Sequence, residues 1–149
     1  MTTVNKQARI RRAQSCATDA RAAVGEFQAA VGQPDMALVI FFCSNEYDLT
    51  VLAEEMRRSF AGVQVVGCTT AGEIGPAGYR EHSLTGASFP AGSFSAVSGG
   101  IDHLQQFETA AGRKLAQSLL QRREIHAPQA SADDSFALLL IDGAYFTPS

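Results

Sequence analysis

The chain has 149 residues, 46% hydrophobic and 18% charged, with 12 Lys and Arg against 15 Asp and Glu and a formal net charge of -3. That length is enough for one domain with its own core, and the acidic balance argues against a broad phosphate-neutralising surface, so nucleic acid is not an expected partner. The three cysteines, Cys16, Cys43 and Cys68, form no C-x-x-C pair, and the longest apolar run, Met36 to Cys43, is too short to span a bilayer. With no signal-peptide core near the N-terminus, these features point to a cytoplasmic protein without a membrane partner.

Residues 1–13 carry Lys6, Arg9, Arg11 and Arg12 and no acid, which reads as a basic, solvated N-terminal arm ahead of a domain over 14–149. From Cys16 the apolar positions Ala20, Ala23, Val24, Phe27 and Val31 fall at helical spacing and stop at Gly32, with Pro34 beyond. Met36 to Cys43 is continuously apolar and predicts a strand covered on both faces. Asp48 to Phe60 predicts a second helix, with Leu49, Leu52, Met56 and Phe60 inward and its acids ahead of its bases. Val63 to Cys68 predicts a strand parallel to the first, because a helix connects them.

Thr69 to Gly78 holds three glycines and a proline and predicts a loop. Leu84 to Phe89 and Phe94 to Val97, joined by Pro90 to Ser93, predict an antiparallel hairpin. Leu104, Phe107, Ala111, Leu115 and Leu119 predict a third helix, and Phe136 to Ile141 a last buried strand turning away at Asp142-Gly143. The fold class expected is α/β, a mixed parallel and antiparallel sheet layered with helices.

Open α/β sheets receive ligands beyond the carboxyl ends of their strands. Those ends carry Cys43, Ser44, Asn45 and Tyr47 on one side and Cys68, Thr69, Thr70, Gly72 and Glu73 on the other, so a small polar crevice for a ligand is one reading. Turn-capping hydroxyls and core cysteines are the other. His82, His103 and His126 share no spacing that assembles a catalytic or metal site. A cysteine hydrolase with Cys68 as nucleophile and His82 as base is the enzymatic alternative, although no elbow or oxyanion motif accompanies it. No glycine pattern for a nucleotide phosphate is present.

Val39-Ile-Phe-Phe-Cys-Ser44, Tyr47-Asp-Leu49, and above all Gly67-Cys-Thr-Thr-Ala-Gly-Glu-Ile74 with Gly78-Tyr79 resemble the N-terminal FIST domain, over about residues 14 to 143. The resemblance implies a sensory, non-enzymatic input domain that binds a small ligand such as an amino acid and regulates a histidine kinase or diguanylate cyclase. The stretch Gly67 to Tyr79 is similar to that of haem-binding, nitric-oxide-sensing members, which makes haem a candidate cofactor, with His82 the nearest histidine for its iron and Tyr79 part of the ligand site. The family continues past Asp142-Gly143, so the domain is expected to be partial, its second half absent. An inactive fragment is a further alternative. Phe136 to Ile141 is then expected to be exposed and to drive self-association.

Overall fold

The computed structural model describes residues 9–141. By its contacts the chain divides into two compact units, the first ending at Phe94 and the second beginning at Ser95. The expected mixed α/β architecture is present. In the first unit, strand β1 (Arg11–Ser15), helix α1 (Ala20–Val31), strand β2 (Met36–Ser44), helix α2 (Leu49–Ser59) and strand β3 (Gln64–Thr70) follow in order. Two short strands, β4 (Glu73–Gly75) and β5 (Gly78–Arg80), and then β6 (Leu84–Pro90) complete it.

The main sheet has the order β1-β6-β2-β3, with β2 and β3 parallel and β6 antiparallel to both of its neighbours. The crossover from β2 through α2 to β3 is thus the expected parallel unit. Both helices begin on aspartate caps: Asp19 accepts from the Ala22 amide, and Asp48 from those of Thr50 and Val51.

Strand register assigns each side chain to a face. Val39 pairs with Val65 and Ser88, Phe41 with Gly67 and Gly86, and Cys43 with Thr69 and Leu84. This face meets the helices: Val24, Phe27 and Val31 of α1 and Leu52, Met56 and Phe60 from the α2 region pack with Val39, Cys43 and Leu84. The rings of Phe27 and Phe60 meet edge to face at 5.9 Å. Gly86 is required here, because a Cβ on it would stand 2.2 Å from the Ile40 carbonyl oxygen and 2.9 Å from the Phe27 ring.

The other face carries Ile40, Phe42, Val66, Cys68 and Ala87, all half-buried, and no helix of this unit lies over it. β2 is therefore covered on one face rather than two within the unit. The β4–β5 hairpin sits at the upper end of that face, with Gly75 against Thr85 and the Gln14 side chain.

Four further expectations change. The strand begins at Arg11, so Arg11–Ala13 are not a solvated arm: alternation brings Ala13 and Ser15 inward, and the Arg11 guanidinium donates to the Gly32 carbonyl. Residues 1–8 of the expected arm lie outside the described residues. The stretch from Thr69 is strand and hairpin rather than loop. Its turn passes through Gly78 at φ +80°, and Gln14 both accepts from the Ala77 amide at 3.0 Å and donates to the Gly78 carbonyl at 3.2 Å.

Phe94 to Val97 does not pair with Leu84 to Phe89, because β6 is an inner strand whose two edges are already taken by β1 and β2. In the second unit, helix α3 (Thr109–His126) follows a short 3-10 turn at Leu104–Gln106, and none of its residues is buried. Phe136 to Ile141 forms no strand, and Phe136 and Leu139 are 84% and 79% exposed. The exposure expected of that segment is observed, but without strand geometry. The turn expected at Asp142-Gly143 lies outside the described residues.

Candidate functional site

The carboxyl ends of β2 and β3 lie side by side, Cys43 opposite Thr69 and Ser44 opposite Thr70. The alternation that builds the core also divides the expected crevice. Cys43 and Thr69 point toward the helices, whereas Ser44, Cys68 and Thr70 lie on the other face, so the two thiols do not share one pocket.

Of this second group, Thr70 meets Glu73. Its carboxylate is 2% exposed, accepts from the Thr70 hydroxyl at 2.8 Å, and takes both the Ser83 hydroxyl at 2.8 Å and the Ser83 amide at 3.2 Å. Gln14 in turn donates to the Ser83 hydroxyl at 3.2 Å. A buried carboxylate without a cation among these partners is tolerated because hydroxyls and an amide replace its water. Ser83 and Gln14 had no signal in the sequence. Ser83 follows His82 directly in the chain, and Gln14 is separated from its partners by more than sixty residues.

Several of the expected ligand residues serve the fold. The Ser44 hydroxyl accepts from the Glu46 amide at 3.2 Å, and Tyr47, buried, donates its hydroxyl to the Ala17 carbonyl at 2.7 Å. Burial first, and the negative charges near it second, push the Tyr47 phenol up to about 12. Burial, then Glu73 and then Cys68, push the Cys43 thiol up to about 11. Burial also raises the Cys68 thiol, which runs against the activated thiolate that a hydrolase would need. Asn45 and Thr69 are exposed at the strand ends. Tyr79, 55% exposed, lays its ring over Gly72, where a Cβ would stand 2.4 Å from the ring.

His82 Nδ1 lies 2.9 Å from the Glu46 carboxylate, and its ring meets Tyr47 edge-on at 4.4 Å. A carboxylate on one imidazole nitrogen is how metal-ligating histidines are commonly oriented. The other nitrogen, Nε2, has no partner, but it is enclosed and has no open surface from which an iron could be approached. The residues as folded therefore do not fit a haem at His82. Among the described residues no three His, Cys, Asp or Glu side chains are placed to hold a metal ion. None of the described helices is long and apolar enough to cross a membrane.

Two hollows lie elsewhere. A hollow of about 600 Å³ is lined by Phe41, Met56, Phe60, Val65 and Gly67 with Arg57, and another of about 320 Å³ in the second unit by Ile101, His103, Phe107 and their neighbours. None of the expected ligand residues lines either one.

Compared with known proteins, the chain matches no curated protein and no solved structure. It does match the model of the FIST N domain, over residues 37–148. That match begins with β2 and contains the whole parallel unit, the hairpin and the Glu73 cluster, while β1 and α1 precede it. It spans three quarters of the sequence, and the chain belongs to the FIST N domain family, a sensory domain of signal-transduction proteins.

Proposed function

We propose that this domain is an input module that receives a small amino-acid-like ligand at the carboxyl ends of β2 and β3 and regulates a histidine kinase or diguanylate cyclase. Glu73 carries the reading. Its carboxylate is buried and held by neutral donors, and Glu46 and Asp48 follow the carboxyl end of β2, so the field at this end favours the ammonium of a zwitterion. Asn45 after β2 and Tyr79 over Gly72 are exposed side chains at this end of the sheet that can meet such a molecule. Ser44, Thr70 and Gly72 act behind them by holding the loops in place.

Isothermal titration of the purified chain with the common amino acids, and separately with haemin and nitric oxide, tests this. One or a few amino acids should bind, and Asn45→Ala and Tyr79→Ala should each weaken binding about tenfold while leaving the melting temperature unchanged. Unaltered affinity in both variants, or binding of haemin alone with a Soret band lost in His82→Ala, would overturn the assignment.

A further inference from the structure

Tyr79 is an aromatic residue that the fold exposes and nevertheless holds in one place. It pairs with Ile74 across the β4–β5 hairpin, and its ring reaches diagonally to Gly72, a span that an aromatic side chain covers. A Cβ on Gly72 would collide with the ring at Cε2 and Oη. The backbone there does not call for glycine, because the left-handed φ values among the described glycines are those of Gly62 and Gly78. What a side chain at Gly72 would disturb is the ring. The ring itself adds little to the core: Tyr79 is exposed, and among the described residues none hydrogen-bonds its hydroxyl. The neighbouring Arg80 guanidinium is turned onto the Tyr79 carbonyl at 2.8 Å and not onto the phenol. Gly72 directly precedes Glu73, so the hydroxyl is held one residue along the chain from the buried carboxylate.

We infer that Tyr79 sets the specificity of the site, its hydroxyl donating to the carboxylate of an amino-acid ligand, and that Gly72 is the positioning residue that holds the phenol there. This rests on the amino-acid reading proposed above. A zwitterion needs partners for both of its ends. Glu46, Asp48 and Glu73 favour its ammonium but cannot receive its carboxylate, and they already accept from His82, from the first amides of α2, and from Thr70 and Ser83. Asn45 carries both a donor and an acceptor and can serve either end. A phenol with no acceptor of its own supplies the donor that the carboxylate requires. It also discriminates, because a hydrogen bond to an ionised acceptor is roughly twice as strong as one to a neutral carbonyl. With a Cβ on Gly72 the ring must swing away. Being exposed, it can do so without disturbing the core, so selectivity is lost while the fold remains.

Isothermal titration of the full chain with the common amino acids and with the primary carboxamide of each, at pH about 6.5 where both carry an ammonium group, tests this. The parent should bind an amino acid about tenfold more tightly than its carboxamide. Tyr79→Phe keeps the ring and removes the hydroxyl, whereas Gly72→Ala keeps the hydroxyl and displaces it. Each should reduce the preference to less than about twofold, the double variant should be no worse than either, and all three should melt with the parent. A preference that survives in Tyr79→Phe or in Gly72→Ala overturns the inference and leaves the amino-acid reading standing. So do losses that multiply in the double variant, and so does a melting temperature lowered in Gly72→Ala, since the glycine would then serve the fold. A parent that binds amino acids and carboxamides equally overturns the inference alone, and a parent that binds no amino acid overturns both.

Discussion

Helix α1 and helix α3 have similar apolar spacing in the sequence, yet every inward residue of α1 is buried and no residue of α3 is. In the first unit the stripe meets a sheet whose facing positions are complementary: Gly86 admits Phe27, and the Ser88 hydroxyl donates to the Val31 carbonyl at 2.6 Å. In the second unit Leu115 and Leu119 lie against Gly99 and are only half-buried, and Arg122 of the helix donates to the Ser98 carbonyl at 2.8 Å. Periodicity shows that a helix has an apolar stripe; it does not show what covers the stripe. Burial needs a second surface of matching shape.

The sharpest way to break this contrast is to delete matching apolar side chains from the two units. Phe27→Ala should cost about 3–5 kcal/mol in urea denaturation, because it opens a cavity between α1, β6 and Phe60. Leu120→Ala, at a position 58% exposed, should change stability by less than about 0.5 kcal/mol. Equal effects would mean that α3 is as well packed as α1.

Adding one carbon tests the same point from the opposite side. Gly86→Ala should destabilise by about 1–3 kcal/mol, since backbone atoms of β2 occupy the space. Gly100→Ala meets nothing within 4 Å and should be neutral. Thermal denaturation of both variants distinguishes the two outcomes.

Titration separates the units without mutation. The Cys43 thiol and Tyr47 phenol are raised in the folded state, so their contribution is complete below the unfolded values near 9 and 10. It is lost as pH climbs through about 11 and about 12. The first unit should therefore lose stability as pH rises through this range, read as a falling midpoint in urea denaturation. In the second unit the shifted group is Asp134, lowered by the hydrogen bonds from Ser131, whose contribution is lost instead as pH falls through its folded value.

The smallest effect is at the helix starts. Asp48→Ala should cost about 1 kcal/mol by removing two amide partners from α2, while Glu108→Ala should cost nothing measurable, because Glu108 caps α3 without a side-chain bond. An equal loss at both would reveal a cap on α3 that the geometry lacks.

Local chemistry alone determined much of this protein. The stops of α1 and α2, the parallel pairing of Met36–Ser44 with Gln64–Thr70, and the family signature from Gly67 to Ile74 all depend on neighbours within a few residues or on a connection too long for a hairpin, whereas the cap of α2 is Asp48 and not the Ser44 or Asn45 that also precede it. The candidate site was legible only as a location. That Glu73 is buried depends on Ser83 and, through it, on Gln14, and that Cys43 and Cys68 face opposite ways depends on register. The tertiary structure also decided that β6 lies between β1 and β2, so that Phe94 to Val97 does not pair with it, and that Arg11 to Ser15 forms an edge. A strand's pairing is a choice among surfaces far apart in the chain, and no period in a sequence records which of them meets it.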